Sequence, residues 1–228
     1  MRYTKLSLSQ KIINFIEMKR DKKKKNQPGE VGRFWRDGGY ELIYDLPVTN
    51  DGLIVDAGGY KGEWSAGMIS RYGCRIQIFE PVPEFFEYCQ AYFRSNKLVQ
   101  VNKSALGGSD RKTRLNLLDN STSEYKGNDN DQKIDSDVID VAKVFGENDL
   151  RVACFKLNIE GAEYEVLERM IETNKIILCD SLLIQFHRQP NDYEPRYRNI
   201  VSELRKTHTR SWCYEMVWEK WVRKSSDE

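Results

Sequence analysis

The stretch Leu53-Ile54-Val55-Asp56-Ala57-Gly58-Gly59-Tyr60-Lys61-Gly62 decides the fold. Leu53-Ile54-Val55 is a short apolar run and reads as a buried strand. The glycines break it, and residues 63–72 read as a helix. Gly58, Gly59 and Gly62 allow a sharp turn and let a ligand approach the main chain without meeting a Cβ. The helix behind them begins with unpaired N–H groups and a partial positive charge. A strand, a glycine turn and a helix in this order form the first unit of an α/β nucleotide site.

The same alternation continues outward. Residues 75–79 read as a second strand that runs into Glu80-Pro81, residues 84–94 as a helix and residues 98–101 as a third strand. Residues 113–118 are expected to form an added strand, and the polar residues 120–133 a loop. Further strands are expected at 152–157 and 181–186, helices at 162–171 and 197–206, and a hairpin or strand pair over 212–222. Strands that alternate with helices predict a mostly parallel sheet with helices on both faces. The aromatic-rich end, with Trp212, Tyr214, Trp218 and Trp221, is expected to cover the sheet edge.

The bulk properties fit one such domain. The chain has 228 residues, 39% hydrophobic and 31% charged, enough for a full twisted sheet. Residues 1–30 read as a separate extension and residues 31–228 as the α/β domain. Within residues 1–25, an amphipathic stretch carrying Leu6, Ile12, Phe15 and Ile16 precedes Lys22-Lys23-Lys24-Lys25. That combination suits either weak contact with an anionic membrane surface or a docking helix with a solvated linker. Lys plus Arg number 36 and Asp plus Glu 35, a balance that argues against a nucleic-acid partner. The five cysteines form no CxxC pair and read as reduced, mostly buried thiols. No apolar run reaches the about 20 residues needed to span a bilayer. The expected location is cytoplasmic, with a peripheral membrane position left open by the extension.

Two acids narrow the ligand. A dinucleotide loop would read G-x-G-x-x-G, whereas here Asp56 leads the glycines. A carboxylate there disfavours a pyrophosphate and suits a cation such as the methionyl ammonium of S-adenosylmethionine. Glu80, at the end of the second expected strand, can accept hydrogen bonds from both ribose hydroxyls.

Four segments, in this order, resemble the FkbM-type family of class I S-adenosylmethionine-dependent methyltransferases. They are Val55 to Gly62, then Phe79-Glu80-Pro81-Val82-Pro83, then Ser104-Ala105-Leu106-Gly107, then Lys156-Leu157-Asn158-Ile159-Glu160-Gly161-Ala162-Glu163. The resemblance implies a Rossmann-like, seven-stranded sheet with one antiparallel strand near its edge. It implies that Asp56, Ala57, Gly58, Gly59 and Gly62 hold the methionyl part of the cofactor, with product S-adenosylhomocysteine, and that Glu80 and Pro81 hold the ribose. Ser104, Ala105 and Leu106 would border the adenine, and Lys156 to Glu160, with Asn158 among them, would close the floor of the site near the sulfonium. It also implies O-methylation of a sugar, a glycan precursor or a related natural product, and hence a small-molecule or glycan acceptor. Asn158 stands where the family usually has aspartate, so it can accept a hydrogen bond but cannot act as a base.

A hydroxyl acceptor benefits from a base. The candidates are Glu160, Glu163 and His187, with Glu163 also suited to capping the next helix. His187 follows an expected strand at the rim where this architecture places its ligands. Arg188, Tyr193, Arg196 and Tyr197 could line that rim. His208, among threonines, reads as a surface residue. A divalent metal on Glu160 and His187 is possible but not favoured, because hard cations prefer several carboxylates; no metal ligands are assigned. The competing readings are a dinucleotide oxidoreductase, a non-catalytic Rossmann protein and a nucleic-acid methyltransferase. Oligomeric state is not legible.

Overall fold

In the computed structural model, residues 28–118, 121–123 and 132–225 are described. The amphipathic and basic segment of residues 1–25 lies outside them. The chain divides into two compact units, residues 1–43 and residues 44–228. In the first, helix α1 (Gly29–Arg36) carries Glu30 in its first turn and Arg33 and Arg36 in its last, matching the helix dipole at both ends. Helix α2 (Gly39–Tyr44) follows.

The second unit runs β1 (Leu53–Ala57), α3 (Glu63–Tyr72), β2 (Arg75–Phe79), α4 (Pro83–Phe93), β3 (Val99–Asn102), β4 (Ala105–Gly107), β5 (Arg111–Leu118), β6 (Ser121–Ser123) and β7 (Lys133–Asp140). It continues with β8 (Cys154–Leu157), α5 (Glu163–Glu172), β9 (Ser181–Ile184), α6 (Tyr193–Thr207), β10 (His208–Tyr214) and β11 (Trp218–Arg223). Seven strands form one sheet in the order β10-β11-β9-β8-β1-β2-β3. The pairings of β1 with β2 and β8, of β2 with β3 and of β8 with β9 are parallel. β11 is antiparallel to both of its neighbours. This is the seven-stranded, mostly parallel sheet with one reversed strand that the resemblance implied.

The central strands explain why their sequences read as continuous apolar runs. Every residue of β1, β8 and β9 is buried, as expected for a parallel sheet covered on both faces. On one face, Val55, Phe155, Leu157, Leu182 and Ile184 belong to one core with Tyr164 and Leu167 of α5 and Ile200 and Leu204 of α6. Each such side chain contributes about 1.5–3 kcal/mol by leaving water. The chain leaves β1 toward β2 and β3 and returns through β8 to the opposite side. The order therefore reverses between β1 and β8, and a crevice opens at their carboxyl ends.

Between β3 and β8 the chain builds a second sheet. Its four strands lie in the order β4-β7-β5-β6, with β7 parallel to β4 and antiparallel to β5. The sequence predicted one added strand and a loop here. β7 was missed because Lys133-Ile-Asp-Ser-Asp-Val-Ile-Asp140 leaves most of its side chains at least partly exposed and buries only Val138, so it carries no apolar run.

His208 is corrected by the structure. It is buried, with Nε2 3.0 Å from the Cys179 carbonyl oxygen and Nδ1 2.8 Å from Thr207 Oγ1. Burial pushes its pKa down. Its polar neighbours hid the fact that it starts a strand beneath α6. Trp221 is also wholly buried, in the main core. All five cysteines are free, four of them buried. No helix among the described residues is long and apolar enough to cross a membrane.

Candidate active site

The glycine turn connects β1 to α3. Gly58 has φ +83°, and a Cβ there would lie 2.1 Å from the Asn158 carbonyl oxygen. Only glycine lets the turn after β1 pass this close to the turn after β8. The N–H groups of Gly58 and Gly59 both donate to the Phe79 carbonyl, at 3.0 and 3.3 Å, which ties the turn to the end of β2.

Asp56 is completely buried. Its carboxylate accepts from Lys156 Nζ at 2.7 Å and from Ser65 Oγ at 2.5 Å. Lys156 also donates to the Gly58 carbonyl at 2.9 Å and lies 5.6 Å from the centre of the Trp64 ring. The acid that leads the loop is thus already paired with a cation from β8. Breaking such a pair from one side is costly, because the other charge stays buried. Lys156→Met is expected to destabilise the fold by about 3–5 kcal/mol, read as a fall in the urea midpoint. A midpoint unchanged from wild type would mean that the pair contributes nothing.

Glu80 emerges from β2 and is almost wholly buried. Its Oε2 accepts from Tyr60 N at 2.7 Å and its Oε1 from Val82 N at 2.9 Å. Burial pushes its pKa up to about 7; the two backbone N–H bonds oppose the rise and the nearby Asp56 charge adds to it.

These elements surround a pocket of about 200 Å³. Of the residues expected from sequence, Gly58, Glu80, Pro81, Ala105, Leu106, Asn158 and Glu160 line it. Asp56, Ala57, Gly59, Gly62, Ser104 and His187 are not on its wall. Sequence reasoning missed Tyr60, Phe85 and Ala162, and also Arg111, Leu115, Val138 and Glu165, which bring the second sheet and α5 to the pocket. Tyr60 and Phe85 meet edge to face at 4.4 Å. Tyr60 directly follows the glycine pair, so the loop motif itself pointed to it. No sequence signal pointed to Arg111 or Glu165.

Glu160, Glu163 and His187 come together. His187 Nδ1 lies 2.8 Å from Glu163 Oε1 and its Nε2 3.4 Å from Glu160 Oε1. Glu163 is fully buried and also accepts from the N–H groups of Ile159 and Gly161, at 2.8 and 2.9 Å. It therefore braces the turn before α5 rather than capping the helix, whose N-cap, Ala162, has no side-chain cap hydrogen bond. Glu160 has φ +54°, a region uncommon for residues other than glycine. Burial lowers the pKa of His187, but hydrogen bonds and charge from Glu160 and Glu163 outweigh it and hold the value up to about 9. At neutral pH the imidazole is a cation between two carboxylates. Because its pKa is raised on folding, the stability it contributes is full below its ordinary value near 6.5 and is lost as pH rises through about 9.

Two of the expected rim residues brace the helices instead. Arg196 pairs with Glu168 through Nε and NH2, at 2.8 and 2.6 Å, and Tyr197 donates to Glu219 and meets Phe186 edge to face. Among the described residues, no group of three or more His, Cys, Asp or Glu is arranged to hold a metal ion.

The methyltransferase FkbM domain family matches residues 56–212. No curated protein matches the chain in sequence. A candidate rRNA methylase of Clostridium thermocellum has a similar fold, with TM-score 0.50 and 10% identity over 88% of this chain and 98% of that one. An rRNA methylase of Streptococcus thermophilus follows at TM-score 0.46 and 7% identity, over 82% and 95% of the two chains. TrmK of M. capricolum, solved with S-adenosyl-homocysteine, gives 0.47 and 8% identity, over 82% and 69%. At 10% identity the first of these speaks for the fold alone. The family match spans the glycine turn, Glu80 and the turn after β8, and on it the chain belongs to the FkbM methyltransferase domain family, as an S-adenosylmethionine-dependent methyltransferase on a Rossmann-like fold.

Proposed function

We propose that the acceptor is a hydroxyl group of a sugar, a glycan precursor or a related natural product, and that Glu160 takes its proton. In this reading the cofactor lies with its ribose on Glu80 and its amino-acid end toward Asn158 and the Asp56–Lys156 pair. Its base lies past Ala105 and Leu106. One buried atom on the pocket wall supports the fit: Asn158 Oδ1 has no hydrogen-bond partner among the described residues. Buried polar atoms left this way cost free energy unless a ligand or water pairs with them. Asn158 can accept from an ammonium.

When bound, the cofactor supplies an electrophilic methyl group on a sulfonium. The protein has then to align the acceptor, exclude water and remove a proton. Tyr60, Phe85 and Leu106 give the pocket an apolar wall for the second task. For the third, the observation that carries the hydroxyl reading is the Glu160–His187–Glu163 arrangement. An amine attacks through a lone pair it already has, whereas a hydroxyl gains most from a proton acceptor during attack. His187 is already protonated at neutral pH and is held behind Glu160, so it serves as a positioning residue and Glu160 as the acceptor. The near-neutral net charge of +1 supports a small or glycan acceptor over a polyanion.

The test is incubation with methyl-labelled cofactor and a panel of nucleotide sugars, oligosaccharides and structured RNA. Label on a carbohydrate oxygen, located by fragmentation in a mass spectrometer, is the expected result. Label confined to RNA would overturn the reading.

A further inference from the structure

Helix α4 begins at the pocket wall and carries aromatic side chains away from it. Phe85 lies on that wall and meets Tyr60 edge to face at 4.4 Å. Tyr88 and Tyr92 follow it at helical spacings of three and four, so the three rings share one face of the helix. The rings of Tyr88 and Tyr92 are nearly parallel, at 15°, with centres 6.2 Å apart. Tyr88 is 51% exposed and Tyr92 59%. An aromatic strip thus leads from the pocket onto the surface, and more than half of each outer tyrosine is open to solvent. Single exposed tyrosines are ordinary, whereas parallel ones continuous with a pocket mark a binding surface.

The charges beside the strip identify its ligand. Glu84 stands one turn before Tyr88, and Glu87 directly before it. Both acids are exposed, and neither has an ion pair or a side-chain hydrogen bond among the described residues. A cation, Lys61, lies over the Tyr60 ring at the pocket end. Free carboxylates beside the outer rings repel a phosphate backbone and disfavour a nucleic acid. A neutral sugar suits both parts of the surface. Its C–H groups, weakly positive, rest on the negative face of an aromatic ring, and its hydroxyls donate to carboxylate oxygens.

We propose that Tyr88 and Tyr92, with Glu84 and Glu87, form a carbohydrate-binding strip. It holds sugar units of a neutral oligosaccharide acceptor beyond the unit that is methylated. The acceptor is then a chain of sugars rather than a single nucleotide sugar. This rests on the reading of the acceptor as a carbohydrate.

The test applies the labelled full chain, without cofactor, to an array of neutral oligosaccharides of graded length, with single sugars and single-stranded RNA alongside. Wild type is expected to hold some of the oligosaccharides about tenfold or more tighter than the matching single sugars, the worth of two stacked rings. The double variant Tyr88→Ala, Tyr92→Ala is expected to lose that advantage. The double variant Tyr88→Phe, Tyr92→Phe keeps both ring faces and is expected to stay within about threefold of wild type. Both variants alter exposed positions, and an unchanged melting temperature shows that each is folded. An array on which wild type holds no oligosaccharide overturns the proposal, as does a length advantage that survives in the alanine variant. RNA held by wild type and released by the alanine variant overturns it in favour of a base-stacking surface. The array needs neither cofactor nor turnover, so its failure is distinct from a labelling screen that places the methyl group on RNA, which overturns the carbohydrate reading itself.

Discussion

Glu80→Ala is expected to weaken S-adenosylhomocysteine binding by about 100-fold or more, since two hydrogen bonds to a charged group are worth about 1.5–3 kcal/mol each. The carboxylate is fixed from behind by Tyr60 N and Val82 N, so its remaining lone pairs are oriented before the ligand arrives. The pH dependence gives an independent signature. Burial raises the pKa of Glu80 to about 7, and ribose hydroxyls donate best to the ionised form. Lowering the pH from 8 to 6 takes the group from about nine-tenths ionised to about one-tenth, so the dissociation constant should rise about tenfold. Glu80→Gln should bind weakly and lose this dependence. Calorimetry across that range checks both points; a pH-independent wild type would detach Glu80 from the ribose.

Glu160→Gln is expected to lower kcat by about 100- to 1000-fold while S-adenosylhomocysteine affinity stays within about twofold. The amide keeps the size of the side chain and its place on the pocket wall, but it cannot take a proton. Glu160 sits at the carboxyl end of β8, and His187, held cationic by Glu160 and Glu163, stands 3.4 Å behind it. Loss of a group that acts only as the reaction proceeds lowers kcat and kcat/KM together. Steady-state kinetics with the acceptor found in the labelling screen separates this from a binding defect. An unchanged kcat would remove Glu160 from the chemistry.

The parts legible in the sequence are those held by local rules. β1, the glycine turn and β8 could be read because strands buried on both faces carry unbroken apolar runs, and because the turn needs glycine at Gly58. Glu80 could be read from its place at a strand end. What could not be read depends on partners far apart in the chain. Lys156 meets Asp56 across 100 positions and Glu165 meets Arg111 across 54, and no periodicity encodes such pairings. The pairing with Lys156 changes what Asp56 offers: the sequence suggests a bare anion for the methionyl ammonium, while the fold presents an acid already matched to a cation. The second sheet escaped for a different reason. β7 pairs along its length with β5, so its stability comes from backbone pairing and a few apolar contacts. His187 was located but its charge state was not, since that depends on two carboxylates converging on one ring.

The central claim is that the crevice at the carboxyl ends of β1, β2 and β8 is a cofactor site. The most direct test is calorimetric titration of the full wild-type chain at pH 8 with S-adenosylhomocysteine. Saturable binding of one ligand per chain, competed by S-adenosylmethionine, is the predicted result. A folded chain that gives no binding heat across temperatures and no displacement of labelled cofactor would contradict it.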